Sequence, residues 1–403
     1  MSNSTPQIRF KGYTDAWEKR KLGEVAEFSK GSGYSKGDLT DEGTPIILYG
    51  RLYTKYETII EDVDTFANMK DKSVISHGGE VIVPSSGETA EDISRASVVG
   101  KDGVILGGDL NIVRADSTID PAFLAITISN GNQQKELSKR AQGKSVVHIS
   151  NSDLKDVVLQ HPTLPEQTRI GKFFATLDST ITLYKQKLDG LRTLKKGYLQ
   201  QMFPQAGERV PRVRFDGFEG DWESRKLGKI AETYSGGTPS AGKKDYYGGN
   251  IPFIRSAEIN AEGTELFLTE DGLKNSSAKM VEVGTILYAL YGATSGEVGR
   301  SKIVGAINQA ILAIKPTENY DANYVSQWLR AQKDSIVSTY LQGGQGNLSA
   351  AIIKELAIAF PAIDEQTAIG KFFHTLDEQI TVQQSKVEQL QQLKKAYLQN
   401  MFI

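Results

Sequence analysis

Self-similarity constrains this chain more than any local pattern does, because one plan recurs after about 200 residues. Arg9-Phe10-Lys11-Gly12 through Trp17-Glu18-Lys19-Arg20-Lys21-Leu22-Gly23 returns as Arg214-Phe215-Asp216-Gly217 through Trp222-Glu223-Ser224-Arg225-Lys226-Leu227-Gly228. Over residues 8–27, 11 of 20 positions are identical in the second copy. Residues 165–203 return as 364–402 with 23 identities in 39, including Glu-Gln-Thr at 166 to 168 and 365 to 367. Such a period is far longer than a solenoid unit, so each copy is a domain with an appendage. The 403 residues agree with two or three domains of roughly 150 residues each.

Between the matching segments lie residues 28–160 and 233–360, which barely resemble each other. Both copies descend from one event and have had equal time to change. The flanks were therefore held while the middles diverged. Faster drift of loops than of helices is the plainer explanation of the same contrast.

The repeated second segments read as helices. Apolar residues fall at Ile170, Phe174, Leu177, Ile181, Tyr184, Leu188 and Leu191, then Tyr198 and Met202. The second copy runs Ile369, Phe373, Leu376, Ile380, Val387, Leu390, Tyr397 and Met401, with Gln383 where Tyr184 stood. Alternating steps of four and three make the seam of a coiled coil, interrupted where Lys195 or Lys394 enters it beside Leu194 or Leu393. Glu166 and Asp364-Glu365 sit in the first turns, where the helix dipole favours carboxylates, and Pro204 ends the first helix. At 1.5 Å per residue, helices of some 38 residues would be roughly 57 Å long. Compact domains commonly have their ends close together, so the second helix is expected to start near the end of the first and to pack antiparallel to it. Met202-Phe203-Pro204-Gln205 leads into Val213-Arg214-Phe215, and Met401-Phe402-Ile403 would lead into Ile8-Arg9-Phe10 if the ends were joined. The repeat is circular in its logic and is expected to bring the termini together.

The middles read as mixed α and β. Val81 to Pro84, Gly103 to Leu106, Thr285 to Tyr288 and Ala310 to Ile314 are short β-rich runs bounded by Gly and Pro, and residues 123–139 and 323–339 look helical. The expected fold class is α+β, with two mixed α/β domains joined by two long helices that form an antiparallel coiled coil with an internal pseudo-twofold repeat. The segments are 1–163, 164–203, 204–362 and 363–403.

Several chemistries find no support. The chain has no cysteine, which excludes disulfides, thiolate-bound zinc and cysteine nucleophiles and fits a reducing compartment. Four histidines at 77, 148, 161 and 374 lack ligand spacing. Gly143-Lys144-Ser145 has Ser138 where a phosphate-binding loop needs glycine, and neither a nucleophile elbow nor an Asn-Pro-Pro-aromatic or Asp-Pro-Pro-Tyr motif of amino-group methyltransferases is present. The most apolar stretch, residues 284–293, is half the roughly 20 residues of a membrane helix. The first ten residues are polar, so the expectation is a cytoplasmic protein without membrane attachment.

With 47 basic and 49 acidic residues the net charge is -2, so any polyanion site must be local. Both middles place basic and amide side chains on short Gly, Ser and Thr loops. The first carries Lys30, Tyr34, Lys36, Arg51, Tyr53, Lys55, Ser86, Thr89, Arg95, Arg140 and Lys144. The second carries Thr238, Ser240, Lys243, Lys244, Arg255, Tyr291, Thr294, Arg300, Gln342, Gln345 and Asn347. Arg, Lys, Gln and Asn suit base edges in the major groove, and Ser, Thr and amides suit phosphates. A solvated surface group is the plainer reading of any single one of them.

At these residues the chain resembles the specificity subunit of a type I restriction-modification system. The doubled helix motif Glu-Gln-x-x-Ile-x-x-x-x-x-x-Leu-Asp, at 166 to 178 and 365 to 377, carries the resemblance. So do Ser-Gly-Gly-Thr-Pro-Ser at 235 to 240 and Gly346-Asn347-Leu348-Ser349, which are similar to the opening and closing elements of its target-recognition domains. The first domain departs from both, with Ser29-Lys30-Gly31-Ser32-Gly33 and Gly143-Lys144-Ser145-Val146-Val147-His148-Ile149 instead.

The resemblance implies a non-catalytic reader of double-stranded DNA. Each domain would read one half of a bipartite site, and the paired helices would set the gap. Two modification subunits would supply S-adenosylmethionine-dependent methylation, and two restriction subunits ATP- and Mg-dependent translocation and cleavage. No cofactor is expected in this chain. Identical off-seam residues, Lys172 with Lys371, Asp178 with Asp377, Lys196 with Lys395 and Gln200 with Gln399, are candidates for docking those partners. A structural adaptor holding two protein ligands at fixed spacing is the alternative. A self-sufficient methyltransferase would need cofactor motifs that this sequence does not show.

Overall fold

The computed structural model describes residues 5–90, 92–141, 143, 146–205, 207–341 and 347–403. Two 38-residue helices, Leu164–Gln201 and Ile363–Asn400, occupy the repeated segments. Contacts group the chain into two compact units, Met1–Gln186 with Gln384–Ile403 and Lys187–Gln383. Each unit therefore combines one middle segment with half of each helix.

Within each unit the two helix halves run antiparallel. In the first, Phe173 meets Tyr397 edge-on at 5.1 Å while Asp178 meets Lys394. In the second, Tyr198 meets Phe372 at 5.1 Å while Lys195 meets Asp377. Rising numbers on one helix face falling numbers on the other, and the second set is the first shifted by one repeat. The seam read from the sequence is buried at Ile170, Phe174, Leu177, Ile181 and Leu188, and at Ile369, Phe373, Leu376 and Val387. The seam lysines are tolerated because each finds a carboxylate, which compensates the cost of removing an ammonium from water.

The arms before each middle explain why their sequence repeats. Arg9 grips Glu166 through two hydrogen bonds of 2.7 Å, and Arg214 grips Glu365 at 2.7 and 2.8 Å. Both glutamates are almost fully buried, so a planar guanidinium fork is what satisfies both oxygens. Hydrogen bonding to the carboxylate raises both arginines above their ordinary pKa. The Ile8 amide donates to the Asn400 carbonyl at 2.8 Å, and its counterpart Val213 donates to Gln201 at 3.0 Å. The start and end of the chain thus meet through the same bond that joins the first helix to the second arm. Gln167 and Gln366 accept from the amides of Asp120 and Asp321, the residues that cap the helices Pro121–Ile128 and Ala322–Ala331.

Each middle holds two larger sheets whose strand orders correspond. In the first unit one sheet runs Ala26–Lys30, Leu110–Ala115, Val81–Pro84, Ser97–Val99 and Ile59–Ile60. The matching sheet of the second unit runs Ala231–Ser235, Ile311–Pro316, Ile286–Ala289 and Val298–Arg300. The other sheet of the first unit runs Leu39–Thr40, Phe66–Ala67, Thr44–Ile47, Asp102–Leu106 and Ile75–His77. Its counterpart runs Phe267–Leu268, Tyr247–Ile254, Gly305–Ile307 and Lys279–Val281. The apolar runs at 81, 103, 285 and 310 all form strands, and near-continuous burial along them accounts for their lack of polar alternation.

Neither helix expected from the middles is continuous. Residues 123–139 fall into Pro121–Ile128 and Gly131–Arg140, and residues 323–339 into Ala322–Ala331 and Lys333–Tyr340. Ser129 caps the first of these helices, and Gly131, the first residue of the next, takes a φ of +71°, which no continuous helix passes through and which glycine adopts without a Cβ penalty. Phe402 stacks on Phe123 at 5.9 Å in the first core, and Phe203 lies beside Tyr324 at 5.3 Å and Phe373 at 6.0 Å in the second. Fully burying such a side chain stabilises by about 1.5–3 kcal/mol, so each helix end is anchored in the unit it reaches.

Candidate nucleic-acid interface

An open groove of about 1410 Å³ lies on the first middle domain, and its lining comes mainly from four loops, with Asp64, Thr65 and Val146 completing it. Gly33 to Leu39 follows the strand Ala26–Lys30, Leu48 to Lys55 carries a short helical turn, residues from Ser86 to Arg95 follow a buried strand, and Gly108-Asp109 turns between two strands. Seven residues singled out in the sequence line it, namely Tyr34, Lys36, Arg51, Tyr53, Lys55, Ser86 and Arg95. They are brought together although 61 positions of sequence separate the first from the last.

The seven are not equally free. Tyr34 is 6% exposed and forms floor rather than wall; its hydroxyl donates to the Asn68 carbonyl at 3.1 Å and accepts the Lys70 amide at 2.9 Å. Arg51 is 9% exposed, held by Asp64 at 2.6 Å, Glu57 at 2.8 Å and the Asp62 carbonyl at 2.7 Å. The expectation that these two side chains contact DNA from exposed loops is corrected by their burial: both are structural groups beneath the surface. Tyr53 donates to the Ser86 carbonyl at 2.8 Å, which ties two walls together. Lys55 pairs with Asp64 at 3.0 Å and Arg95 with Asp92 at 2.9 Å, both at the surface. The Lys55 bond, joined by the Arg51 contact, holds the Asp64 carboxyl down to about 2. Lys36 is exposed and makes no ion pair with a described residue.

The groove is not simply basic. Asp38, Asp64, Glu88, Asp92 and Asp109 line it beside its four cationic side chains. Carboxylates accept hydrogen bonds from exocyclic amino groups of bases but repel phosphates, so this lining suits base edges better than a backbone track.

Sequence reasoning missed two residues here. Tyr49 is 37% exposed and stands edge-on to Tyr53 at 6.2 Å. Asp109 has a φ of 60°, and its carbonyl accepts the Ser85 amide at 2.7 Å. The Gly107-Gly108-Asp109 turn was a signal for it.

Other candidates of the first domain lie off the groove. Lys30 donates to Ser85 at 2.7 Å, and burial pushes its ammonium below the ordinary lysine value. Thr89 caps the turn at Asp92 through a 2.8 Å bond. Arg140 is engaged by Glu136 at 2.8 Å on its own helix. Lys144 lies outside the described residues, as do Gln342 and Gln345 of the second domain.

In the second unit Thr238, Ser240, Lys243 and Lys244 share one exposed loop, and Thr238 donates to Gln309 at 2.5 Å. Lys243 and Lys244 border a shallow hollow with Tyr246, Asp271 and Asn275. Tyr291, Thr294 and Asn347 form a second group, in which Tyr291 bridges Asn347. Arg255 is bound by Glu258 at 2.5 Å and Glu265 at 3.4 Å. Arg300 is half-buried, donates to the Gly284 carbonyl at 3.0 Å and bonds Asn323, so it braces the fold instead of joining either loop group.

The closing elements coincide despite their different sequences. The Ile149 amide donates to Ser85 at 3.0 Å, and the Leu348 amide donates to Leu290 at 2.9 Å. Ser150 and Ser349 then cap the following helical turns.

On the long helices Lys172, Lys395 and Gln399 are exposed in the first unit, as are Lys371, Lys196 and Gln200 in the second. Asp178 and Asp377 are not part of that outward set. Asp178 takes Lys394 and the Thr58 hydroxyl, and Asp377 takes Lys195, Gln327 and Arg330. Their hydrogen-bond partners come from the facing helix and the attached domain, whereas docking of an outside partner was expected of them. Among the described residues no helix is long and apolar enough to cross a membrane, and no cluster of His, Asp and Glu is arranged to hold a metal ion.

The family model described as the type I restriction modification DNA specificity domain matches residues 14–193 and again 219–392. A Methanocaldococcus jannaschii protein provisionally described as the MjaX type I restriction enzyme specificity subunit is 24% identical over 405 residues, covering 94% of this chain and 91% of that one. The EcoR124I/EcoR124II specificity subunit of Escherichia coli is 27% identical over 268 residues, covering 63% of this chain and 64% of its own. The crystal structure of the type I S subunit from M. genitalium superposes with a TM-score of 0.70 at 16% identity, over 99% of both chains, and so shares the fold. With two copies of the family's domain filling most of its length, the chain belongs to the specificity subunits of type I restriction-modification systems.

Proposed function

We propose that this chain is the DNA-reading, non-catalytic subunit of its complex, with each middle domain reading one half of a bipartite site and the helix pair setting the gap. The observation that carries this reading is the contrast inside one chain. The arm clamps, helix seam and strand orders are retained in both units, while the loop surfaces differ in residues, shape and charge. Two unlike surfaces on one repeated frame suit two unrelated half-sites. The exposed Lys172, Lys395 and Gln399, and their repeat equivalents Lys371, Lys196 and Gln200, offer two equivalent faces for two modification subunits. Methylation with S-adenosylmethionine, and ATP- and Mg-dependent translocation and cleavage by two restriction subunits, belong to those partners.

The mixed charge of the groove bears on affinity. With carboxylates among its cations, the chain alone should bind DNA weakly, and the modification subunits should raise both affinity and salt sensitivity, each phosphate contact adding about 0.9 to the slope. Replacing residues 28–160 by the corresponding segment of another family member tests the reading. One half-site should change while the other half-site and the gap stay as they were. A change in both halves, or in neither, would refute modular reading.

A further inference from the structure

In each unit a carboxylate near the middle of a long helix, Asp178 or Asp377, is bonded by the middle domain, and these two ties differ; the first unit also has Asp120 accepting the Thr168 hydroxyl at 3.0 Å. In the first unit Asp178 accepts Lys394 on one oxygen and the Thr58 hydroxyl, at 2.6 Å, on the other. In the second unit Asp377 accepts Lys195 at 2.5 Å on one oxygen and both Gln327 and Arg330, each at 2.8 Å, on the other. Gln327 and Arg330 lie on the helix Ala322–Ala331, and the Nε of Arg330 also donates to the Val298 carbonyl in the adjoining sheet at 3.1 Å. Strand, helix and helix pair are thereby joined in one chain of hydrogen bonds.

Counting from the shared caps Asp120 and Asp321, the first unit has Ile126 and Ser129 where the second has Gln327 and Arg330. Ser129 turns to the Ala125 carbonyl at 2.8 Å and the Ala96 amide at 2.8 Å and does not reach Asp178. A cavity of about 230 Å³, lined by Thr58, Ile126, Ser129, Phe174 and Lys394 among others, occupies the space beside it. A guanidinium bonded at two nitrogens to separate elements restricts rotation far more than a single hydroxyl on a rotatable Cβ.

We propose that Asp377 and Arg330 are positioning residues for DNA recognition, and that their tie, more than the one at Asp178, makes the complex strict about the gap between half-sites. The inference rests on the reading of a bipartite site given above. The full chain, assembled with its modification subunits, is used to select from a duplex library in which half-sites and gap length both vary. The wild type should return one gap. Arg330→Met leaves the Lys195 pair intact, and it should return gaps one base pair longer and shorter with about tenfold relaxed discrimination and unchanged half-sites. Arg330→Lys should restore part of that discrimination. Lys195→Met removes the pair between the helices but not the domain tie and should keep the gap strict. Thr58→Val should relax discrimination by less than about threefold. Gln327→Leu serves as a second probe of the same tie if Arg330→Met unfolds the chain. Wild-type gap discrimination in folded Arg330→Met or Gln327→Leu, or equal relaxation by Thr58→Val, would overturn the proposal. Failure of the wild type to select any bipartite sequence would instead remove the reading on which it rests.

Discussion

The two middle domains share a strand order and a closing hydrogen bond, yet their loops hold different chemistry. The first has a groove with Tyr49 and Tyr53 at its wall and carboxylates among its cations. The second has an exposed loop with Lys243 and Lys244 and a separate group around Tyr291 and Asn347. Buried strands must keep apolar side chains and close packing, so divergence there is limited by cavity and overpacking costs. Loops on the surface carry no such penalty. The comparison teaches that one backbone frame has been kept while its loop surface was rewritten.

The largest expected effect tests whether the frame is equivalent in both units. Glu166→Ala and Glu365→Ala each leave a partly buried arginine without its carboxylate, and each should destabilise by about 3–5 kcal/mol in chemical denaturation. Losses differing by more than about 2 kcal/mol would show that the repeated clamps are not equivalent.

A smaller effect separates the ties. Burial alone would raise the Asp377 carboxyl, but the charges of Arg330 and Lys195 hold it below its ordinary value. A depressed carboxylate contributes stability that is present above its unfolded pKa of about 4 and is lost as pH falls through the lower folded value. The acid limb of unfolding should therefore become shallower in Asp377→Asn, measured between pH 5 and pH 2 by about half-unit steps. An unchanged limb would mean that the tie adds no charge-dependent stability.

The loop differences should matter least for stability. Tyr53→Phe removes the hydroxyl that ties two groove walls and should cost about 0.5–1.5 kcal/mol. Lys36→Ala should change stability by less than about 0.5 kcal/mol. If Lys36 meets a phosphate, the salt slope of DNA binding by the assembled complex should fall by about 0.9. A slope equal to the wild type would place Lys36 away from the backbone.

Much of the frame was legible in the sequence, because periodicity and repetition are local or self-referential signals. The helix seam, the shared Glu-Gln-Thr and the apolar strands all follow from such signals. Burial of loop residues was not legible, since it is decided by distant partners. Tyr34 is held by Asn68, Lys70 and Ser73, and Arg51 by Glu57, Asp62 and Asp64. Asp178 and Asp377 looked like outward identities because their lysines lie half the chain away. The common strand order was hidden for a related reason: hydrogen-bonded ladders constrain backbone geometry and leave side-chain identity free within apolar types. What the repetition did disclose was which parts were held, and the structure adds why, through the arm clamps and the caps at Asp120 and Asp321.

The division of labour between a rewritten surface and a retained frame is tested most directly by lengthening the frame alone. Gly190 is exposed within the first long helix, and a Cβ there would meet nothing within 4 Å, so the site tolerates change. Four residues inserted beside it add one helical turn of about 6 Å and act as a stutter, so pairing should persist with local unwinding. The sites selected by the assembled complex should keep both half-site sequences while the gap grows by about two base pairs at about 3.4 Å each. An unchanged gap, or altered half-sites, in an active complex would contradict the account.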